Sequence, residues 1–287
     1  MFKNLKIEFL WAGHQGEHHW WRVLAIIAFI AIIAVAIAYI GQKIILTPIL
    51  ASLDESQVIY KSVLFSAYLS TLFGGVILAL FLGVKLIHKR SISTLFQSSS
   101  KFNTTDFIFG FLTYAALMIA VSLLFDFQET IDAVKNKGFL ILLYTAIPFL
   151  IAFIIQASAE ELILRGYIPQ ILTRALSRPI ISMLTSSIIF AFFHLGYGLE
   201  SFIVSLLFAC TFSYVVLLRG NLSEVCGGHA ANNFLIAWLL SSLSEASEGT
   251  GLSIDLILIL KSLIVLVLFV VVIYIKSHPR NQSKNNF

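Results

Sequence analysis

Long apolar runs recur along this chain, and polar residues gather in the short stretches between them. A bilayer core needs roughly 20 consecutive apolar residues for each helical crossing. Runs of that kind fall at residues 22–40, 62–87, 106–125, 138–160, 179–195, 201–219, 222–242 and 256–275. The pattern predicts an all-α polytopic membrane protein with about eight transmembrane helices in one bundle. It divides the chain into an interfacial N-terminal segment at 1–21, a helical domain at 22–275 and a tail at 276–287. The first run has Ala36 and Ala38 where a signal peptide is cleaved, yet a long segment containing Trp11, Trp20 and Trp21 precedes it. A signal peptide opens with a short basic region instead, so the run is read as a spanning helix with its tryptophans anchored at the interface.

Composition agrees with the pattern. Hydrophobic residues make up 59% of the 287 and charged residues only 12%, with a mean hydropathy of +0.93. A soluble domain carries about 25% charged residues, so lipid must cover most of this surface. The net charge of +4 is scattered between apolar runs. It is read as a signal of membrane orientation, and no nucleic-acid partner is expected. Cys210 and Cys226 lie in or beside apolar segments and are expected to be small buried thiols, with no disulfide framework.

Lysine and arginine test the count. Alternating sides through eight helices places 14 of the 19 Lys and Arg on one side, from Lys3 and Lys6 through Arg219 to Lys284. Only Lys43, Lys61, Lys135, Lys137 and Lys261 fall on the other, together with the acidic stretches 126–132 and 245–255. The positive-inside rule then puts both termini in the cytoplasm.

Some polar residues interrupt the apolar runs. They concentrate in three stretches: Glu160-Glu161-Leu162-Ile163-Leu164-Arg165, Phe190 to His194, and His229 to Asn233. A charge within a bilayer costs roughly 2.5–3.5 kcal/mol, so each is a functional hypothesis. Residues four apart share a helix face. Glu161 therefore meets Arg165, His229 meets Asn233, and Phe190 sits a turn before His194. Glu160 points elsewhere and has no cation at that spacing, which predicts a desolvated, unpartnered carboxylate suited to proton transfer. Taken singly, each has a plainer reading: Glu161–Arg165 a structural clamp, His194 a helix-end histidine, His229 and Asn233 a link between helices. Their joint occurrence on otherwise apolar helices is harder to read as packing.

In that order, Glu-Glu-x-x-x-Arg, Phe-x-x-x-His and His-x-x-x-Asn resemble the three motifs of the type II CAAX prenyl endopeptidases. Their prokaryotic relatives are the CPBP (CAAX protease and bacteriocin-processing) intramembrane proteases. The resemblance covers about residues 140–240, the expected catalytic core; Leu164 departs from the Phe that many relatives carry before the Arg. It implies an intramembrane endopeptidase in the plasma membrane of a prokaryote, acting on a membrane-associated protein or peptide. Glu160 would be the general base for a water that His194 helps to position. His229 and Asn233 would donate to the oxyanion, and Glu161–Arg165 would hold the helix. A divalent metal such as Zn²⁺ is compatible with two His and a Glu but is not assigned. The competing classes are a non-proteolytic membrane partner, such as an immunity or scaffolding protein, and a transporter using the carboxylates as a proton relay.

The boundaries raise a conflict of depth. Glu160 falls near the Lys/Arg-rich end of its predicted helix, and the site is expected to work near that side. His194, fifteen residues past Pro179, falls about 22 Å away toward the opposite face. The motifs converge if the fifth helix begins outside the membrane, continuing the amphipathic segment 167–178, or tilts strongly.

Overall fold

The computed structural model describes residues 5–96, 102–240 and 255–278. Glu245, Glu248 and the basic residues Lys3, Lys101, Arg280 and Lys284 lie outside the described residues. The main elements are α1 (Trp20–Ser52), α2 (Val58–Ile87), α3 (Thr104–Phe125), α4 (Phe127–Lys137) and α5 (Phe139–Leu176). Then follow α6 (Pro179–Phe193), α7 (Leu199–Arg219), α8 (Ser223–Leu235, wound on through Ile236–Leu240) and α9 (Leu256–Ser277).

Among the described residues, seven helices are long and apolar enough to cross a membrane. The one that differs from expectation is α8. It is a helix as predicted, but Glu224, Gly227, Gly228, His229, Asn232 and Asn233 make it too polar to count. Its place in the bundle explains this. Every residue from Ser223 to Ala231 is buried, so α8 faces protein and has little need of an apolar coat. Close approach requires small residues: a Cβ on Gly227 would lie 2.0 Å from the carbonyl oxygen of Phe107, and one on Gly110 would lie 2.2 Å from that of Glu224. The backbones of α3 and α8 are thus in direct contact.

Ion pairs staple both ends of the bundle. At one end, Lys276 of α9 lies 2.5 Å from Asp106 of α3, and Arg219 of α7 lies 2.7 Å from Glu224 of α8. The N–H of Lys6 donates to Leu217 O at 2.6 Å, which brings the N-terminal segment to that same end. At the other, Lys261 of α9 meets Asp126, after α3, at 2.7 Å. Caps from Asn103 and Asp255 satisfy the first N–H groups of α3 and α9.

The fourth predicted span, 138–160, is corrected: α5 runs unbroken from Phe139 to Leu176. At 1.5 Å per residue it is about 57 Å long, well beyond a core of about 30 Å. It ends at Ser177, which is left-handed at φ 54°. Arg178 is forced out of the helical region by Pro179, and α6 turns back antiparallel. The projecting tip is covered by the N-terminal segment. Phe9 and Leu10 are fully buried, and Gln170 donates to Thr94 O at 2.6 Å and to Phe9 O at 3.3 Å. His88 bonds Glu17 O at 2.8 Å and the Tyr167 hydroxyl at 3.0 Å. Gly16 has φ +82°, and a Cβ there would lie 2.2 Å from His88 O. We expect Gly16→Val to cost about 1–3 kcal/mol through backbone strain, seen as a lower melting temperature in detergent and faster tryptic cleavage at Lys89.

Burial pushes the His88 pKa down. His88 therefore takes up a proton more readily when the N-terminal segment is detached than when it is docked. Docking is strongest above the ordinary histidine value of about 6.5 and weakens as pH falls below it. Hydrogen exchange of residues 8–17, corrected for intrinsic rates, should accelerate between pH 7 and pH 5, and His88→Gln should remove that dependence.

Candidate functional site

Glu160 and Glu161 lie in the middle of α5, immediately before a π-wound stretch, Leu162–Tyr167, that carries Arg165. Such widened turns are frequent at functional sites. The Ser186 hydroxyl of α6 donates to Leu164 O, which fixes the register of the hairpin. Residues 164 and 186 are level, so Glu160 is level with Phe190 and His194 lies one turn, about 6 Å, deeper. This resolves the conflict of depth.

Glu161 is fully buried. Its Oε1 lies 2.7 Å from His229 Nδ1 and 3.1 Å from Arg165 Nη1. A carboxylate only accepts, so Nδ1 carries the proton and donates, and in the neutral ring Nε2 is left as an acceptor. That Nε2 faces Glu160 Oε2 at 3.6 Å. The expected pairing of Glu161 with Arg165 is present, but Glu161 also crosses from α5 to α8 and sets the orientation of His229. Arg165, itself fully buried, lies over the Phe190 ring at 4.4 Å from its centroid, a favourable placement for a desolvated guanidinium.

The expectation of an unpartnered, desolvated Glu160 is corrected. Its Oε1 accepts from Gln156 Nε2 at 3.0 Å, one turn earlier, and its side chain is 19% exposed. Gln156 was not singled out by the sequence; its spacing of four from Glu160 is the one signal that points to it.

His194 caps the end of α6, and its Nδ1 lies 2.9 Å from Phe190 O. Donation to that carbonyl leaves Nε2 directed elsewhere. The Phe190 ring neighbours both histidines, with centroids 4.5 Å from His194 and 5.9 Å from His229. Phe208, also absent from the sequence reading, packs on His229 edge-on at 4.9 Å. Asn233 accepts from the Asn232 amide at 2.9 Å; Asn232 is a further neighbour that the His-x-x-x-Asn spacing passes over.

His194, His229, Asn232 and Asn233 share a cavity of about 580 Å³. It runs away from the Lys6 and Lys276 end, reaching Asp126 and Lys261. The cavity therefore lies in the half of the bundle away from the Lys6 and Lys276 end, toward which α5 continues for about four more turns past Glu160. Among the described residues, no three His, Cys, Asp or Glu side chains converge as metal ligands. Glu161 is taken up by Arg165 and His229, and His194 Nδ1 by Phe190 O, so the donor set as placed does not fit a His₂Glu centre. His14, His18 and His19 form no such group either.

Residues 142–235 match the family model described as type II CAAX prenyl endopeptidase Rce1-like. This segment holds all six residues singled out by the motifs. The chain is also 28% identical over 254 residues to "Uncharacterized protein YyaK" of Bacillus subtilis (strain 168), a match covering 82% of this chain and 83% of that protein. No solved structure matches the chain.

The buried charges make a sharp test of the geometry. Removing one partner of a buried pair strands the other, at about 3–5 kcal/mol. Arg165→Met should lower the melting temperature in detergent strongly, and adding Glu161→Gln should restore part of the loss. Equal and additive losses would show that the two side chains do not interact.

Proposed function

We propose that this Rce1-like protein is an intramembrane endopeptidase that hydrolyses a peptide bond of a membrane-associated protein or peptide with a water activated by Glu160. One observation carries the reading: Glu160 Oε2 and His229 Nε2 face each other at 3.6 Å, and with Nδ1 donating to Glu161 the neutral ring leaves both atoms as acceptors. A water molecule is the natural occupant of such a position, because it has two hydrogens to donate and separations of this size are commonly bridged. The oxygen of that water is then held with its lone pairs free to attack.

The chemistry follows from what each group holds. Glu160 takes a proton from the water as the oxygen bonds to the carbonyl carbon. It then passes that proton to the amine nitrogen as the carbon–nitrogen bond breaks, returning to a carboxylate. Glu161, neutralised by Arg165, keeps the Nδ1 proton of His229 in place, so Nε2 stays an acceptor for the water. This gives His229 a positioning part in place of the oxyanion donation inferred from spacing. The amide of Asn233, with Asn232 beside it, is the donor available to the oxyanion from the cavity side. His194 presents its ring to the same cavity and helps to orient the water and the substrate carbonyl. No Ser or Cys stands in the motifs as a nucleophile, and the direct attack of water needs none.

Substrate-trapping proteomics, comparing wild type with Glu160→Gln, would supply a physiological substrate. On that substrate we expect Glu160→Gln to reduce cleavage by about 10²–10⁴-fold with the melting temperature nearly unchanged. His229→Ala and His194→Ala should each abolish cleavage while the protein remains folded. Full activity in Glu160→Gln would overturn the assignment of the base.

A further inference from the structure

Where the N-terminal segment docks, the charges do not balance. Residues 14–22, 85–90 and 174–178 hold six cations, Arg22, Lys85, Lys89, Arg90, Arg174 and Arg178, against one carboxylate, Glu17. The fold brings these stretches together. Arg22 of α1 donates to Ile87 O at the end of α2. Arg90 Nη1 donates to Ala12 O at 3.0 Å, and Arg174 Nη1 of α5 donates to His18 O at 2.7 Å.

Glu17 is already shared. Arg22 and Lys89 both pair with it, Lys89 at 2.6 Å. Among the described residues, Arg90 and Arg174 are answered only by backbone carbonyls, which carry no net charge. Asp106 and Glu224 are committed to Arg219 and Lys276. Arg90 is only 6% exposed, yet its Nε and Nη2 have no hydrogen-bond partner, and neither has Arg22 Nε. Burial pushes the Arg90 pKa down to about 10, with Tyr167 the one group opposing the shift. Desolvated guanidinium groups call for an anion beside them, and their planar fork matches a phosphate.

The surroundings say which phosphate. A Cβ on Gly83 of α2 would lie 2.9 Å from Ile26 of α1, so the start of α1 and the end of α2 are level. On these same turns Leu24, Ile27, Leu82 and Leu86 are exposed, an apolar surface of the kind that acyl chains cover. Trp20 and Trp21 are exposed beside it, and Arg22 lies over the Trp21 ring at 4.6 Å from its centroid. Tryptophans of this kind mark the level of the lipid headgroups. Cations at that level, next to an acyl-covered surface, complement a phosphate that carries its own acyl chains.

We infer that Arg22, Lys85, Lys89, Arg90 and Arg174 form a site for the phosphodiester headgroup of an anionic phospholipid, whose acyl chains lie along the exposed residues of α1 and α2. The cluster joins the N-terminal segment to α2 and α5, so the bound lipid also clamps that segment over the hairpin of α5 and α6. The site is independent of the peptidase reading.

The test uses the full chain purified in dodecyl maltoside and titrated with phosphatidylglycerol or, separately, phosphatidylcholine. Native mass spectrometry counts the lipid retained, and hydrogen exchange at fixed pH follows residues 8–17. We expect one phosphatidylglycerol to be held about tenfold more tightly than phosphatidylcholine, and exchange to slow several-fold as it binds. Each basic side chain beside a headgroup is worth about fivefold, so Lys85→Gln with Lys89→Asn should weaken retention about 30-fold. Lys89 is left-handed at φ 52°, a conformation that asparagine tolerates. Arg174→Gln should weaken retention separately, which guards against a folding defect in the first variant. Lys43→Gln with Lys135→Gln, at exposed lysines elsewhere, should leave it unchanged. Equal retention of the two lipids, or undiminished retention in both cluster variants, would overturn the inference. Equal slowing of exchange by millimolar inorganic phosphate alone would assign the cluster to a free anion and overturn the lipid assignment.

Discussion

A carboxylate with no access to water must be neutralised where it stands, and Glu161 is such a group. Left alone, a buried charge costs several kcal/mol. Two partners share it, Arg165 from the same helix and His229 from α8. From this one requirement much of the site follows. The bond to His229 ties α5 to α8 and selects the tautomer. The pull on Arg165 lays its guanidinium across Phe190, which brings in α6. Glu160, adjacent in sequence but about 100° around the helix, is left free to face the other nitrogen of the same imidazole.

The rest of the bundle sorts its polarity around that centre. Apolar side chains cover α1, α2 and α9, where large hydrophobic residues such as Ile32, Leu78 and Leu256 are exposed, as a lipid-facing surface demands. Polar groups retreat either to the ends, in ion pairs, or to the interior, in α8. Small residues let α3 and α8 touch backbone to backbone, and that contact supports the helix bearing His229.

Much of this was legible in the sequence, for a reason that also sets the limit. Apolar runs of about twenty residues located α3 and α9 to within two residues, because both helices face lipid along much of their length. The same criterion stopped α5 at residue 160 although the helix continues to Leu176. Arg165, Gln170 and Arg174 interrupt the apolar run, yet each is answered by protein: by Glu161, by Phe9 O and Thr94 O, and by His18 O. Hydropathy cannot distinguish a charge facing water from one facing a partner. The candidate residues stood out because they are polar in an apolar setting. Spacing of four found Glu161–Arg165, but the bond from Glu161 to His229 spans 68 residues and leaves no local trace. Gln156 and Asn232 were passed over because amides occur throughout membrane helices and carry no charge to draw notice.

The polarity of α8 has a consequence for how the molecule is made. Helices such as α1 or α9 can pass from the insertion machinery into lipid by their own apolarity. Helix α8, with Glu224, His229 and two asparagines, gains little from lipid and settles only against neighbours that answer its polar groups. Two of them, α3 and α5, are synthesised earlier. The helix that completes the site is therefore among the last to find its place. An unfinished chain carries Glu160 and Glu161 without the imidazole that joins them, so assembly of the bundle and assembly of the chemistry are a single event.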